Sequence, residues 1–197
     1  MQNIVVIDYS MGNLYSVHKA LQHVTNDTVV ISADADEISK ADRIVFPGQG
    51  AARDCMSELH KRELVDVVKQ VSKTKPFLGV CMGMQVLMEH SAENAGTDCL
   101  GVYPGEVHHF EHHNGDPGDR LKIPQMGWNQ VWQAQAHPLW HNIKDGARFY
   151  FVHSYALPVN AATIAECDYG NAFTAAVNKD NFYGVQFHPE RSGQAGA

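Results

Sequence analysis

The sequence lacks the features that mark membrane-spanning, exported and nucleic-acid-binding proteins. No apolar run approaches the roughly 20 residues that a membrane-spanning helix needs, so we expect no membrane segment. Residues 1–8 contain neither a basic segment nor a small-residue cleavage site, and they therefore do not form a signal peptide. The 15 Lys and Arg residues are outnumbered by 22 Asp and Glu residues, and the resulting net charge of −7 disfavours nucleic acids and anionic membranes as partners.

Cysteine is also scarce, and its spacing excludes a metal-binding framework. The four cysteines have no CxxC spacing, and they are Cys55, Cys81, Cys99 and Cys167. Free thiols in a reducing cytoplasm are the simplest interpretation. The 197 residues, 44% of them hydrophobic, suffice for one sizeable core and not for two. We therefore expect one cytoplasmic domain spanning residues 1–197.

The first half of the chain alternates strand-like and helix-like segments. Apolar runs predict strands at residues 3–7, 28–31, 43–46 and 77–80. Apolar residues at helical spacing predict a helix from Leu14 to Val24 and another from about Arg53 to Val71. Residues 38–41 are predicted as a short connector. This alternation predicts an α/β fold with a doubly wound, mostly parallel sheet.

From about residue 98 the pattern changes to short strand-like runs separated by turn residues. These runs lie at residues 105–110, 128–132, 148–152, 163–167, 173–177 and 182–187. They predict antiparallel strands in the C-terminal half. Residues 111–119 contain Gly-Asp-Pro-Gly-Asp, which predicts an exposed loop.

A cysteine between two glycines ends the fourth strand. The stretch Gly79-Val80-Cys81-Met82-Gly83 precedes an apolar-periodic segment, which predicts a strand, a sharp turn at Cys81 and a helix. Gly79 and Gly83 would leave room where strand and helix approach closely. A helix N-terminus favours thiolate over thiol, which makes Cys81 a candidate nucleophile. By itself, the pentapeptide is equally compatible with a buried structural cysteine.

A second motif, His188-Pro189-Glu190, follows the last strand-like run. Residues i and i+2 of an extended segment point to the same side, and Pro189 favours an extended His188. Glu190 could therefore hold one ring nitrogen of His188 and leave the other for Cys81, as in acyl transfer by a nucleophile, a base and an orienting acid. His188 alone could be an ordinary surface histidine among 12, but the two motifs together favour a catalytic triad.

Two further motifs are less specific. The turn Pro47-Gly48-Gln49-Gly50 follows the third strand and lacks the Gly-Lys-Ser/Thr of a Walker loop. Ligands of open α/β sheets bind beyond the carboxyl ends of strands, so its N–H groups could face an oxyanion, although an ordinary turn explains the motif alone. The tract His108–His113 contains four His and one Glu, and a solvated loop is favoured over a metal site.

Taken together, these residues give the chain a resemblance to the class I (triad) glutamine amidotransferases. The family-level motifs are residues 79–85 and 188–190. Within the family, the chain is most similar to the glutaminase subunits of imidazole glycerol phosphate synthase. The stretches that carry this closer similarity are Asp8–Leu14, Pro47–Ala51, Pro124–Asn129 and Tyr150–Tyr155. They occur in the family's order, and the resemblance covers residues 3–193.

The resemblance implies a reaction, a partner and roles for individual residues. Cys81 would attack the side-chain amide of L-glutamine, with His188 as base and Glu190 as orienting acid. The implied oxyanion-hole residues are Gly50 and Met82, and the implied substrate-binding residues are Gly48, Gln49, Gln85, Glu93, Ser154 and Tyr155. Ammonia would pass to a (β/α)8-barrel cyclase subunit in histidine biosynthesis. The positions that would face this subunit are Asn13, Met126, Trp128 and Tyr150. No cofactor and no metal are implied.

Two departures and three alternatives accompany this reading. Position 49 is Gln where relatives often have a small aliphatic residue, and the chain stops at Ala197 where relatives continue into a closing helix. The alternatives are a triad glutaminase of another pathway, a non-catalytic binding module that retains the fold, and a cysteine peptidase of similar architecture. A binding module is disfavoured because Cys81, His188 and Glu190 are all present, and no peptide groove can be identified from the sequence.

Overall fold

The computed structural model describes residues 2–110 and 121–197. Its first half contains β1 (Asn3–Ile7), α1 (Leu14–Val24), β2 (Thr28–Ser32), α2 (Ala35–Lys40), β3 (Arg43–Gly48), α3 (Ala52–Lys61), α4 (Val65–Thr74), β4 (Phe77–Cys81), α5 (Met82–Gln85), β5 (His90–Ser91) and β6 (Thr97–Asp98). Its second half contains β7 (Glu106–His109), β8 (Gln125–Gln133), β9 (Ala147–His153), β10 (Tyr155–Ala156), β11 (Thr163–Asp168), β12 (Ala172–Lys179) and β13 (Phe182–Val185). No helix in these two ranges is long and apolar enough to cross a membrane.

Nine strands form one mixed sheet in the order β2-β1-β3-β4-β13-β12-β11-β8-β9, and the other four form a small sheet in the order β10-β7-β5-β6. In the large sheet, the strands from β2 to β13 pair in parallel. The strands from β13 to β9 pair antiparallel. This confirms the predicted α/β fold with antiparallel strands in the C-terminal half.

Both faces of the large sheet are buried around β1. Along β1, Val5 and Ile7 belong to one hydrophobic cluster, whereas Ile4 and Val6 belong to the other. Alternate residues of a strand point to opposite faces, so a continuous apolar run requires cover on both sides. The sequence pattern of β1 is explained by this two-sided core.

The helix predicted from Arg53 to Val71 was wrong, because the structure has two helices there. The interruption falls between α3 and α4, where Glu63 has φ +56°. The N–H of Leu64 donates to the carbonyl of Leu59 at 3.0 Å, a Schellman-type ending with Glu at the position that Gly usually occupies. Leu64 is fully buried. Its packing therefore ends α3 in a sequence whose helix propensity is otherwise adequate.

Two shorter elements also differ from the prediction. The expected connector at residues 38–41 largely belongs to α2, whose first turn is capped by Asp34 through the N–H of Glu37 at 2.9 Å. The helix after Cys81 has only four residues. After it, the N–H groups of Leu87 and Met88 donate to the carbonyls of Met84 and Gln85, three residues back, so the chain continues in tighter turns instead of an α-helix.

The topology brings the two chemical motifs to the same edge of the sheet. β13 pairs in parallel with β4, and Val185 lies opposite Val80. On the other side of β4, Gly48 at the end of β3 lies opposite Cys81. The loops that follow β1, β3, β4 and β13 therefore lie on one rim, as the sequence predicts.

Candidate active site

Cys81 lies on a sharp corner between β4 and α5. Its backbone has φ 54° and ψ −114°, a conformation that a residue with a side chain rarely adopts and that marks functional sites. A Cβ on Gly83 would lie 1.8 Å from the carbonyl oxygen of Phe46, and one on Gly79 would lie 2.9 Å from that of Gly83. The close approach predicted at both glycines is confirmed.

His188 follows β13 and forms a pair with Glu190. The Nδ1 atom of His188 lies 2.8 Å from Oε1 of Glu190. Glu190 belongs to a 3-10 turn, Pro189–Arg191, so the two side chains meet across the start of a turn rather than along an extended strand. The backbone N–H of His188 donates to the carbonyl of Tyr150 at 2.9 Å. These contacts fix the backbone of His188 and one nitrogen of its ring.

The electrostatic environment of His188 favours its protonated form. Burial acts to lower its pKa, but the interactions with Cys81 and Glu190 outweigh burial and raise the pKa to about 10. The Nε2 atom of His188 is buried and has no hydrogen-bond partner among the described residues. The ring is therefore held by Glu190 at one nitrogen, while the other nitrogen remains uncommitted near the sulfur of Cys81.

These groups open onto a cavity of about 580 Å³, a volume typical of small-molecule sites. The predicted residues that line it are Asn13, Gln49, Gly50, Cys81, Met82, Gln85, Glu93, Ser154, Tyr155, His188 and Glu190. Gly48 does not line it. A Cβ there would lie 2.5 Å from the Tyr9 hydroxyl, so Gly48 packs behind the site rather than in it.

A buried cysteine forms a hydrogen bond to the glycine-rich turn Pro47–Gly50. The thiol of Cys55 donates to the carbonyl of Gln49 at 3.5 Å. Carbonyl and N–H groups of a trans peptide point in opposite directions, so the N–H of Gly50 points away from Cys55. Gly50 has φ +87°, a value that favours glycine. The turn therefore presents backbone to the cavity at a position where a side chain would be strained.

One end of the cavity carries acceptor groups. The side-chain Oε1 of Gln85 is buried and has no hydrogen-bond partner among the described residues. Glu93 accepts the N–H of Ala52 with one carboxylate oxygen at 2.7 Å, at the start of α3. An uncommitted amide oxygen and a carboxylate are groups that suit an ammonium ion.

Two further side chains at this site were not predicted from the sequence. Gln186 is fully buried and its amide Nε2 lies 3.7 Å from the sulfur of Cys81. His153 lines the cavity, contacts the carbonyl of Tyr155 at 2.8 Å through Nδ1, and has its pKa lowered to about 4 by burial. Gln186 lies one residue beyond β13, and its partners Cys81 and Gln85 belong to other elements, so no local sequence signal identified it.

The other predicted partner positions lie outside the cavity on an apolar surface. Met126 and Trp128 alternate with inward-facing residues on β8 and are 63% and 52% exposed. Trp128 contacts Tyr150 on β9, with ring centroids 6.3 Å apart. The guanidinium of Arg191 lies 4.4 Å from the centroid of the Tyr150 ring. We call Met126, Trp128 and Tyr150 the partner surface. Arg191 lines the cavity and contacts Tyr150, so this surface adjoins the cavity.

The remaining thiols are not activated. Burial raises the pKa of Cys55 to about 12, that of Cys99 to about 11 and that of Cys167 to about 12. All three are free and remain protonated at neutral pH.

The histidine tract is only partly described. His108 and His109 belong to β7, whereas residues 111–113 lie outside the described residues, as does the predicted loop at 111–119. In ranges 2–110 and 121–197, no group of three or more His, Cys, Asp or Glu side chains could hold a metal ion.

Comparison with known proteins places this geometry in a family. Residues 5–196 match the family model described as glutamine amidotransferase class-I. The chain is 52% identical to imidazole glycerol phosphate synthase subunit HisH 1 of Pseudomonas aeruginosa, covering 98% of this chain and 91% of that protein. It is 53% identical to subunit HisH of Thiobacillus denitrificans, covering 98% and 87%. A solved glutamine amidotransferase of Thermotoga maritima shares the fold, with a TM-score of 0.62 and 14% identity over 96% of this chain and 76% of that one.

Proposed function

The chain belongs to the class-I glutamine amidotransferases, and we propose that it is the glutaminase subunit of imidazole glycerol phosphate synthase, acting in histidine biosynthesis. It hydrolyses L-glutamine to glutamate and ammonia. The observation that carries the proposal is the arrangement of Cys81 on the corner after β4 and of His188, paired with Glu190 at 2.8 Å, after the adjacent strand β13.

The reaction begins when the sulfur of Cys81 attacks the side-chain amide carbon of glutamine. The carbonyl double bond opens, and the negative charge develops on its oxygen. His188, protonated at Nε2, gives its proton to the departing nitrogen, and the C–N bond breaks to release ammonia and leave a thioester. Glu190 holds Nδ1 of His188 and stabilises the imidazolium.

Hydrolysis of the thioester uses the same histidine as a base. His188, now neutral, takes a proton from water while the water oxygen attacks the thioester carbon. The C–S bond breaks, glutamate leaves, and the thiolate and imidazolium are restored. In both steps the backbone N–H groups of Gly50 and Met82 bind the oxyanion.

The amino-acid end of glutamine binds at the acceptor end of the cavity. The unpartnered Oε1 of Gln85 and the carboxylate of Glu93 receive the α-ammonium group. The backbone around Ser154 and Tyr155 holds the α-carboxylate, and Gln49 also lines the cavity. Gly48 contributes by allowing the turn to pack closely against Gly83 and Tyr9, without contacting the substrate.

The ammonia is used by a second subunit, a (β/α)8-barrel cyclase that binds the partner surface and covers the cavity rim at Asn13. A closed interface keeps ammonia unprotonated, which matters because only neutral ammonia is nucleophilic. The large exposed aromatic and methionine side chains of this surface suit a protein interface. The four free thiols fit a reducing cytoplasm.

A direct test measures glutamate release by the purified chain alone and with the cyclase subunit and its nucleotide substrate. We expect release to be stimulated by the cyclase, to disappear in Cys81→Ala and to persist in the matched Cys167→Ala variant. Labelled glutamine should acylate Cys81, as read by mass spectrometry. A chain that hydrolyses glutamine without stimulation belongs to another pathway, and a Cys81 that is never acylated contradicts the chemistry.

A further inference from the structure

A buried glutamine that the mechanism above does not use lies against the nucleophile. Gln186 follows β13 and is completely inaccessible to solvent. Its Nε2 lies 3.7 Å from the sulfur of Cys81, and its Oε1 lies 2.8 Å from Nε2 of Gln85. Burying a primary amide in a core is costly unless its polar atoms form hydrogen bonds. We therefore treat each of these two contacts as a hydrogen bond and ask which atom donates.

The direction of each hydrogen bond is fixed by a backbone carbonyl. The carbonyl of Tyr155 can only accept, so the group of Gln85 that lies 2.9 Å from it must be the amide nitrogen. The second hydrogen of that nitrogen points to Gln186, which must therefore present its oxygen. The nitrogen of Gln186 is then left to face the sulfur of Cys81, where it can only donate. Rotating the amide of Gln186 would place two N–H groups against each other.

We propose that Gln186 is a further catalytic residue, whose amide N–H donates to the sulfur of Cys81 and stabilises the thiolate before attack on the substrate. This inference rests on the glutaminase function proposed above. A donor directed at a negatively charged sulfur forms a charge-assisted hydrogen bond, and its contribution decreases once the sulfur becomes part of a neutral thioester. The same side chain links the thiolate to Gln85 at the substrate-binding end of the cavity.

Other groups around the sulfur do not replace this donor. Titratable side chains that interact with Cys81 in the described part of the chain include His188, Tyr9 and Cys55. The hydroxyl of Tyr9 donates to the sulfur of Cys55 at 3.7 Å, the thiol of Cys55 donates to the carbonyl of Gln49, and burial raises the pKa of both groups. His188 supplies the cation, and Gln186 supplies a neutral donor that remains in place while the histidine gains and loses its proton.

The test is the pH dependence of Cys81 alkylation by iodoacetamide, with the labelled site read by mass spectrometry. In Gln186→Leu we expect the midpoint of the alkylation profile to rise by about one pH unit, which is a tenfold loss of thiolate at pH values below both midpoints. The rate at high pH should stay the same or increase, because a more basic thiolate is the stronger nucleophile. This separates lost stabilisation of the thiolate from blocked access.

Gln125→Leu is the matched control, since Gln125 is also a buried glutamine but lies on β8, three strands away from β13, and contacts His153 instead of Cys81. Its midpoint should equal that of the wild type. Gln186→Met removes the donor and keeps the length of the side chain, so its midpoint should rise by the same amount, and it provides the measurement if Gln186→Leu does not fold.

An unchanged midpoint in a folded Gln186 variant would overturn the inference. Because alkylation requires neither glutamine nor the cyclase, the result does not depend on the proposed function. If the wild type fails to hydrolyse glutamine while the Gln186 variants still shift the midpoint, the function is wrong and the sulfur contact stands. If hydrolysis is normal and the midpoint does not move, only the role of Gln186 is wrong.

Discussion

The backbone at Cys81 should reduce the stability of the protein, and glycine substitution can measure by how much. Cys81 has φ 54° and ψ −114°, which an L side chain adopts at a cost of about 1–3 kcal/mol. Glycine adopts this conformation with little strain. In the pair Cys81→Ala and Cys81→Gly, both variants lack the sulfur, and only the Ala variant retains the strained Cβ.

The difference between these variants also contains effects unrelated to strain. The Gly variant is less stable by about 0.4–1 kcal/mol because glycine makes the unfolded chain more flexible. It also loses the burial of one methyl group, which contributes about 0.8 kcal/mol. Cys167 supplies the correction, because it is also buried but lies within β11 and is not among the residues with positive φ. The change in the free energy of unfolding from Ala to Gly at residue 167 is subtracted from the same change at residue 81, and the difference is the backbone strain at residue 81.

We therefore expect the Ala-to-Gly change to be more favourable at residue 81 than at residue 167 by about 1–3 kcal/mol. Urea unfolding of the four variants would measure this, and each kcal/mol should also appear as about 2–4 °C in the melting temperature. Equal changes at the two positions would refute the reasoning. They would mean that the corner after β4 is unstrained and that the position of the sulfur carries no cost in stability.

Three further predictions concern the glycine-rich turn, the partner surface and a buried histidine. Gly50→Val should abolish cyclase-stimulated glutamine hydrolysis without preventing heterodimer formation, because a β-branched residue avoids φ +87°; normal turnover with the cyclase present would contradict this. Trp128→Ala should weaken cyclase binding at least tenfold by calorimetry, and should change the free energy of unfolding by less than about 0.5 kcal/mol because the side chain is half exposed; unchanged affinity would remove Trp128 from the interface. Burial lowers the pKa of His153 from 6.5 to about 4, so the unfolded chain binds a proton that the folded chain excludes. Stability should fall as the pH drops from about 6.5 to 4, by at most about 1.4 kcal/mol per pH unit. His153→Gln should flatten that slope, and equal slopes in urea titrations of the two proteins would show that another group is responsible.

The parts of the fold that the sequence predicted are those in which local pattern and burial agree. The continuous apolar run of β1 matches a strand that is buried on both faces, and the helical spacing of α1 matches a helix with one buried face. Both elements were predicted correctly. The end of α3 was not, because the positive φ of Glu63 follows from the burial of Leu64 and not from a Gly or Pro in the sequence. The cap of α2 was detectable, since Asp34 followed by Glu37 resembles a capping box.

The candidate site shows the same division. Cys81, His188 and Glu190 lie in short motifs whose spacing has a chemical meaning, so they could be predicted before the structure. Gln186 could not be assigned, because its partners are determined by which strand lies beside β13, and pairing between distant strands cannot be deduced from a single sequence. The position of Gly48 behind the cavity likewise depends on the hydroxyl of Tyr9, which comes from a separate strand end.

The position of β13 in the sheet also determines when a newly synthesised chain can complete its fold and its active site. Among the described residues, β13 is the last strand to be synthesised, yet it lies between β4 and β12 in the interior of the large sheet. The nascent polypeptide must therefore leave a gap there until this segment emerges from the ribosome. Because the same segment carries the imidazole to the thiol, closure of the gap and assembly of the triad are a single event, and prematurely terminated chains have neither.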